Sequence, residues 1–219
     1  MNTFLPSRLF SLTRLRSNRD MQSLYDDAAS GWQSGIRKLT FDTAYQELVR
    51  HPRVPVARNR VLDAGCGTGA LAQAYLGQTH YDGVIDLLDL SHHMLAQAQA
   101  SIPQANILHG AVGDVPLDHR YDVILCAHVI EHCADPDAAL RWLKSHLAPG
   151  GTLVLSVSRP HWCTTLVRWR WGHASYRPDK VVEMMQQSGF KNVNIAPFKS
   201  GPPSRLSSGY IANSPNPVA

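Results

Sequence analysis

The stretch Arg60-Val61-Leu62-Asp63-Ala64-Gly65-Cys66-Gly67-Thr68-Gly69-Ala70-Leu71-Ala72 decides how this chain folds. An apolar strand runs into an acidic residue, then into a turn rich in glycine, and then into the start of a helix. Glycine permits tight bends and lets the backbone approach a ligand closely. At the carboxyl end of a parallel strand, such a turn directs the free N–H groups of the next helix towards a ligand. The stretch therefore predicts an α/β fold that binds a nucleotide-like molecule.

The acidic residues around this turn help to choose the ligand, because residues 65–70 also satisfy the relaxed dinucleotide-binding pattern. The next apolar run ends at Asp89, whose carboxylate can accept both ribose hydroxyls of either NAD or S-adenosylmethionine. The presence of Asp63 distinguishes between these two cofactors. A carboxylate beside the loop repels a pyrophosphate but attracts the ammonium of S-adenosylmethionine. Asp114, after a third apolar run, can accept from an adenine amino group.

Five blocks of sequence carry a resemblance to a known family: residues 61–69, 89–95, 113–117, 121–125 with 128–132, and 147–153. In order and spacing they resemble the class I S-adenosylmethionine-dependent methyltransferases. The resemblance extends over residues 25–212 and is strongest to the small-molecule branch that includes the ubiquinone and menaquinone biosynthesis methyltransferases. It implies S-adenosyl-L-methionine as cofactor and a single doubly wound Rossmann-like sheet, mostly parallel with a C-terminal antiparallel strand. It implies less about the acceptor, since this fold hosts many.

Strand and helix signals alternate along the chain, as a doubly wound α/β domain requires. Strands are predicted near 60–64, 83–88, 105–109, 121–126 and 151–157, and helices over 69–77, 92–100, 135–147 and from Pro178 to Ser188. Residues 110–120 are too few and too rich in turn residues for a crossover helix, which predicts a loop. The runs 191–197 and 207–212, joined by a Gly-Pro-Pro loop, predict a closing antiparallel pair.

The expected organisation is a flexible basic tail at 1–20, an N-terminal helical cap at 21–55, and a methyltransferase domain at 56–214 with a lid at 158–177. In the tail, arginines fall on the same helical arc as leucines, which disfavours an amphipathic helix. A targeting role, or peripheral contact with a membrane surface through this tail, is the alternative. No apolar run in the sequence has the length of a membrane span.

Composition is that of a globular protein, with 44% hydrophobic and 17% charged residues. The formal net charge of +4 is concentrated in the tail and near a late tryptophan cluster, and gives little indication of nucleic-acid binding. The cysteines are scattered with no Cys-x-x-Cys pair, so no disulfide framework is predicted and a reducing compartment, the cytoplasm, is expected. No cluster of His or carboxylates has ligand spacing, so no metal site is predicted.

The resemblance, together with the acidic residues, implies a set of cofactor contacts. The glycines shape the turn, Asp63 receives the ammonium, Asp89 the ribose, and Asp114 with the Val115 amide the adenine. The full predicted set is Tyr25, Asp63, Ala64, Gly65, Cys66, Gly67, Gly69, Asp89, Leu90, Met94, Asp114, Val115 and Ala127.

Tyr25 is included because an aromatic face near a sulfonium gains a cation–π attraction of about 0.5–2 kcal/mol. Tyr25 and Trp32 lie seven residues apart and would share one face of a helix. The alternative is that both side chains only pack this helix against the sheet.

His128, Glu131 and His132 follow the fourth strand, at the edge where acceptor chemistry is expected. Proximity and alignment can supply about 7–11 kcal/mol of the acceleration of methyl transfer. A base is needed only if the acceptor must lose a proton, and histidine suits that role near neutral pH. His128 and His132 are therefore the catalytic candidates, although a local structural role is the alternative for His132. Glu131 is interpreted as a polar contact rather than a catalytic acid.

The segment 158–173 contains three of the five tryptophans and is the predicted acceptor lid, with His161, Trp162, Trp169 and Arg170 as its substrate residues. Aromatic walls favour a small hydrophobic or aromatic acceptor. The segment could instead form an amphipathic helix that buries its apolar stripe. At the level of function, the alternatives are an NAD-type oxidoreductase and a non-catalytic S-adenosylmethionine-binding partner protein.

Overall fold

The computed structural model describes residues 22, 38–55, 60–78, 83–161 and 174–216. Its strands are β1 (Val61–Ala64), β2 (Ile85–Asp89), β3 (Asn106–His109), β4 (Tyr121–Ala127), β5 (Leu147–Ser158), β6 (Lys191–Ala196) and β7 (Ser207–Asn213). They form a seven-stranded sheet in the order β3-β2-β1-β4-β5-β7-β6. The first five strands are parallel, and β7 is antiparallel to both of its neighbours. The predicted doubly wound sheet and its C-terminal antiparallel strand are confirmed.

The helices are α1 (Phe41–Val49), α2 (Ala70–Leu76), α3 (His92–Ser101), α4 (Pro136–His146), α5 (Pro178–Gln187) and α6 (Pro203–Leu206), with a 3₁₀ turn at Ile130–His132. Side-chain hydrogen bonds cap the N-termini of two of these helices. The Ser91 hydroxyl accepts the Met94 N–H before α3, and the Asp135 carboxylate accepts the Ala138 N–H before α4. The helices predicted over 69–77, 92–100, 135–147 and 178–188 are confirmed, and 110–120 is the predicted loop.

Alternate residues of the central strands feed two hydrophobic cores on opposite faces of the sheet. On one face, Val61 packs with the buried sides of α1, α2 and α3. On the other, Leu62 and Ala64 pack with α4 and α5. Both faces are covered, as an all-parallel sheet centre requires. The carboxyl ends of β1, β2 and β4 are thereby held in fixed relative positions.

The fifth strand begins at Leu147 rather than at residue 151, where the Pro149-Gly150-Gly151 sequence was expected to separate helix from strand. Leu147 pairs with Tyr121, and a register shift then separates this pair from Val123 opposite Thr152. Gly150 has φ of 73°, which lets the chain pass through the irregularity without leaving the sheet. The turn residues therefore form a bulge instead of a loop.

None of the helices in the described part of the chain is both long and apolar enough to cross a membrane.

Candidate functional site

The strand order reverses between β1 and β4, which lie side by side at the centre of the sheet. In open α/β sheets, ligands bind in the crevice outside the carboxyl ends of the strands at such a switch point. The residues that follow β1, β2 and β4 all reach this edge, and they include the glycine-rich loop, Asp89 and His128.

The glycine-rich loop fits tightly between β2 and the turn that follows β4. Gly65 has φ of 73°, and its N–H donates to the Leu88 carbonyl at 2.7 Å. A Cβ on Gly65 would lie 2.3 Å from Cγ2 of Val129. Gly69, with φ of 81°, forms the N-cap of α2. The loop can thus keep this shape only with glycine at Gly65, because any side chain would meet the turn that carries His128.

Asp89 ties the end of β2 to this loop. Its Oδ2 accepts the Gly67 N–H at 2.8 Å, and its Oδ1 accepts the Ser91 N–H at 2.9 Å. A carboxylate has about four lone-pair positions, so each oxygen of Asp89 can accept more than one hydrogen bond. Asp89 therefore fixes the shape of the loop in addition to the ribose-binding role predicted for it.

Asp63 is buried, with 1% of its surface exposed, and its Oδ2 accepts the Ala72 N–H at 3.1 Å. Burial raises the pKa of its carboxyl group to about 7, the Ala72 N–H opposes that shift, and the charge of Asp89 adds to it. Near neutral pH the carboxyl group is therefore close to the midpoint of its titration. A cation placed beside it would favour the ionised form.

Most of the other predicted cofactor residues are described at the same edge. Ala64 and Cys66 are buried at the end of β1, while Leu90 and Ala127 are half-buried just after β2 and at the end of β4. Met94 is buried in the first turn of α3. In the loop after β3, Asp114 is exposed and Val115 is half-buried. Tyr25 and Trp32 lie outside the described residues.

His128 adopts a left-handed backbone conformation, with φ of 57°. Such a conformation costs a residue with a side chain about 1–2 kcal/mol. The ring contacts three side chains: its Nδ1 lies 3.1 Å from Glu131 Oε1 and 3.1 Å from Ser158 Oγ, and its Nε2 lies 3.3 Å from Ser156 Oγ. About a fifth of the side chain, 22%, is exposed. The backbone turn thus places an accessible imidazole in a polar setting at the end of β4.

Glu131 is fully buried in the 3₁₀ turn beside His128. Its Oε1 also accepts the Ser158 N–H at 2.8 Å, whereas its Oε2 has no hydrogen-bond partner among the described residues. Burial works to raise the pKa of this carboxyl group. The hydrogen bond from His128, the charges of His128 and His132, and the Ser158 amide outweigh burial and lower the pKa to about 2.

His132 ends the same 3₁₀ turn, where its N–H donates to the Val129 carbonyl at 2.9 Å. Its side chain is half-buried, and its charge contributes to the lowered pKa of Glu131.

Sequence reasoning missed two aromatic residues of α1 that face this site. The Phe41 ring stands edge-on to the His128 ring, with centroids 5.2 Å apart, and lies 5.8 Å from the Tyr45 ring. Tyr45 is buried, and burial together with the charges of Asp63 and Glu131 raises its pKa. The available signal was the pair of aromatics at i and i+4 on an amphipathic helix.

The predicted lid segment is described only at its two ends. His161 is half-buried after β5, whereas Trp162, Trp169 and Arg170 lie outside the described residues. Where the chain is described again, the Ala174 N–H donates to the Glu131 carbonyl at 2.8 Å, and the Tyr176 N–H donates to the Ser158 carbonyl at 3.0 Å. Described residues on either side of the segment, Ser158 and Ala174, therefore both contact Glu131.

Among the described residues, no group of three or more His, Cys, Asp or Glu side chains is placed to share a metal ion.

Comparison with known proteins gives a family match. The model of a methyltransferase domain family matches residues 35–195. The chain is 38% identical over 109 residues to an uncharacterised protein of Synechococcus, covering 47% of this chain and 26% of that protein. It is 31% identical over 118 residues to the ubiquinone biosynthesis O-methyltransferase of Xanthomonas campestris (48% and 45% covered), and 24% identical over 131 residues to that of Rickettsia akari (59% and 52% covered). The chain thus spans about half the length of these O-methyltransferases, and less of the Synechococcus protein.

Solved structures share the fold over most of the chain. The methyltransferase in complex with the Trm112 methyltransferase activator of Haloferax volcanii has a TM-score of 0.72 at 18% identity, with 88% of this chain and 98% of that chain covered. An S-adenosylmethionine-dependent methyltransferase of Thermotoga maritima has a TM-score of 0.70 at 16% identity, with 89% and 99% covered. The N-methyltransferase NodS of Bradyrhizobium japonicum, solved with S-adenosyl-L-homocysteine, has a TM-score of 0.64 at 17% identity, with 78% and 86% covered.

Proposed function

This chain belongs to the methyltransferase domain family, within class I of the S-adenosylmethionine-dependent methyltransferases, and from that premise we propose that it transfers a methyl group from S-adenosylmethionine to a small, hydrophobic or aromatic acceptor. One observation carries the proposal: the glycine-rich loop and the turn of His128 are in contact through Gly65 and Val129. Residues suited to the cofactor and a residue suited to the acceptor are thus neighbours across the switch point of the sheet.

The family to which this chain belongs uses S-adenosylmethionine as its cofactor. The residues at the carboxyl edge of the sheet fit that molecule. We assign the ammonium to Asp63, because a buried carboxyl group with its pKa near 7 gains most from a cationic neighbour. Asp89 takes the ribose hydroxyls, and Asp114 with the Val115 amide takes the adenine. When bound, the cofactor supplies a methyl group activated by a positively charged sulfur.

On the acceptor side, we assign His128 as the group that receives a proton when the acceptor must lose one. Its ring is partly exposed at the end of β4, and its Nε2 faces Ser156. Phe41, packed against that ring, supports an apolar wall for a planar or hydrophobic acceptor. His161, Trp162, Trp169 and Arg170 complete the proposed acceptor site as residues of the lid at 158–177.

The proposal keeps the organisation expected from sequence, with a cap at 21–55 and a methyltransferase domain at 56–214. Within the proposed cap, α1 is described, and its Phe41 ring contacts the ring of His128. Cys66, Cys126 and Cys133 are free thiols, which is in keeping with the proposed location in the cytoplasm.

The test is a search for product. The full chain is incubated with a metabolite extract and S-adenosylmethionine labelled in its methyl group, and mass spectrometry detects metabolites that gain the label. A labelled small molecule that disappears in the His128→Gln variant supports the proposal. Tight binding of S-adenosylhomocysteine with no labelled product from any extract would instead indicate the non-catalytic binding protein. Binding of NAD in preference to S-adenosylhomocysteine would indicate the oxidoreductase.

A further inference from the structure

We propose that Glu131 is the positioning residue of His128: its carboxylate holds the imidazole in the tautomer with hydrogen on Nδ1, so that Nε2 is the atom that takes a proton from the acceptor. The catalytic part of this inference rests on the proposed methyl transfer. The part that concerns the tautomer does not.

The donors and acceptors around the His128 ring decide which of its nitrogens carries the hydrogen. Glu131 Oε1 lies 3.1 Å from Nδ1 and accepts the Ser158 N–H, so it can act only as an acceptor towards the ring. Nδ1 also lies 3.1 Å from the Ser158 hydroxyl, which can donate or accept. Because a lone pair on Nδ1 would face the carboxylate, we infer that Nδ1 carries the hydrogen, donating to Glu131, and that Nε2 keeps its lone pair. The Ser156 hydroxyl, 3.3 Å from Nε2, can donate to that lone pair or accept from an N–H there. The Ser156 contact is therefore compatible with both protonation states.

The choice of a carboxylate at Glu131 argues against a purely structural role. The side chain is fully buried, and its Oε2 has no hydrogen-bond partner among the described residues. Burial penalises such a carboxylate unless neighbouring groups compensate for it. A neutral amide of the same size could accept the same Ser158 N–H, but it would carry no charge to pair with His128 and His132. The negative charge itself is therefore what the site uses, and the group it faces is the His128 ring.

Strain at His128 points in the same direction. Its left-handed backbone, with φ of 57°, is unfavourable for a residue with a side chain. Such conformations cluster where the surrounding structure holds a residue for a purpose. Here the turn brings Nδ1 within 3.1 Å of Glu131 while 22% of the side-chain surface stays exposed.

The proton balance of the step is closed within these groups. As the acceptor's O–H or N–H bond breaks, its electron pair forms the bond to the methyl carbon, and the methyl–sulfur bond breaks with its pair remaining on sulfur. The proton passes to Nε2 of His128. Glu131 stabilises the resulting imidazolium, which afterwards returns the proton to solvent.

The first test measures the tautomer directly in the full chain, with no acceptor and no cofactor. Nitrogen-15 NMR of labelled histidine side chains distinguishes hydrogen on Nδ1 from hydrogen on Nε2, and the His128→Gln spectrum assigns the His128 signals by their loss. In the wild type at neutral ring charge, we expect hydrogen on Nδ1. In Glu131→Met, which has a side chain of similar length but no oxygen to accept from Nδ1, we expect this preference to be lost. A wild-type His128 with hydrogen on Nε2 overturns the proposal, even if the Glu131 variant fails to fold.

The second test measures activity on the acceptor found by the labelling search. Glu131→Gln should bind S-adenosylhomocysteine within about twofold of wild type, whereas kcat falls by roughly 10²–10⁴-fold and the pH profile of kcat changes. Glu183→Gln removes a glutamate charge from the exposed face of α5 and is the matched control. It is expected to leave the affinity for S-adenosylhomocysteine, kcat and the pH profile of kcat unchanged. An unchanged kcat and pH profile in Glu131→Gln overturns the inference. If the tautomer is as expected but no acceptor is ever labelled, the proposed function fails while the tautomer assignment stands.

Discussion

Asp63 and Glu131 are two buried carboxyl groups on the same edge of the sheet, and their pKa values move in opposite directions. Burial dominates at Asp63 and raises its pKa to about 7, whereas the pKa of Glu131 is lowered to about 2. The difference lies in their neighbours. Asp63 has a backbone N–H and another carboxylate nearby, whereas Glu131 faces His128 and His132. Asp63, beside a second acidic residue, thus contrasts with Glu131, which is beside two histidines.

The largest effect is expected from removing the charge of Asp63. Its folded pKa lies above the unfolded value of 3.8, so its stabilising effect is complete below pH 3.8 and is lost as pH rises through about 7. About three pKa units correspond to about 4 kcal/mol. Without ligand, wild type should lose that much free energy of unfolding as the pH rises from 4 to 8, whereas Asp63→Asn should not. The difference in free energy of unfolding between the variant and wild type should therefore grow by about 4 kcal/mol over this range. Urea unfolding at several pH values measures this, and a constant difference between the two proteins would contradict it.

The same variant tests whether the position beside Asp63 receives a cation. Binding of the ammonium should expel the Asp63 proton, so the affinity of wild type for S-adenosylhomocysteine should rise with pH up to about 7 and then level off. In Asp63→Asn this rise should vanish. Calorimetric titration in buffers of different ionisation enthalpy counts the released proton.

Glu131 should show the opposite dependence on pH. Its folded pKa of about 2 lies below the unfolded value of 4.5, so its contribution is present above pH 4.5 and is lost as pH falls towards 2. The full contribution is on the order of 3 kcal/mol. The stability advantage of wild type over Glu131→Gln should therefore shrink below pH 4.5. Parallel urea curves with a pH-independent gap would show that the charge of Glu131 makes no net contribution.

Substitution at the contact between Gly65 and Val129 is expected to lower the free energy of unfolding by nearly as much. In Gly65→Ala the residue keeps a positive φ and gains a Cβ that would lie 2.3 Å from Val129. The free energy of unfolding should therefore fall by about 3 kcal/mol. Gly113→Ala is a matched control, because Gly113 also has a positive φ, 103°, but no atom lies within 4 Å of its added Cβ. It should show the conformational cost alone. Equal melting temperatures for the two variants would mean that the Val129 contact relaxes freely.

Ligand binding should stabilise the protein by a smaller amount. At about 100 times its dissociation constant, S-adenosylhomocysteine should add about 2.7 kcal/mol to the free energy of unfolding, and NAD should add none. Thermal melts with each ligand measure this. Stabilisation by NAD alone would reverse the assignment made at Asp63.

Asp89→Ala should have the smallest effect of the set. Loss of charge-assisted bonds to the ribose should reduce the affinity for S-adenosylhomocysteine by one to two orders of magnitude, or about 2 kcal/mol. Since Asp89 also accepts the Gly67 and Ser91 N–H groups, some of that loss comes from a looser glycine loop. The variant Ser91→Ala, which keeps the Ser91 N–H bond to Asp89 but removes the hydroxyl cap of α3, separates helix capping from ribose binding. Wild-type affinity in Asp89→Ala would restrict Asp89 to a structural role.

How much of the site could be predicted from sequence depends on how local its contacts are. The glycine loop, Asp63 and Asp89 were predictable because strand, turn and helix follow one another within a short stretch, and Asp63 bonds to Ala72 only nine positions later. The role of Glu131 was not predictable in the same way. Its bond to Ser158 depends on the register of β4 against β5, which pairs residues far apart in the chain.

Contacts between distant parts of the chain also account for the other differences between prediction and structure. Phe41 and Tyr45 were missed because amphipathic spacing shows which residues share a face, but not what that face meets. The early start of β5 was missed because a proline and two glycines are typical of a turn, and only the partner strand shows that they form a bulge.

The position of β7 between β5 and β6 has a consequence for the order in which this domain can assemble during synthesis. Residues 191–196 emerge from the ribosome before 207–213, yet in the described sheet β6 pairs only with β7. Until β7 is made, β6 has no edge to join, and β5 presents an open edge. Closing the sheet therefore waits for a strand near the end of the described chain, which inserts between two earlier ones. Such late, non-local pairing is slow, and it leaves an apolar edge open to association with other nascent chains until the last strand arrives.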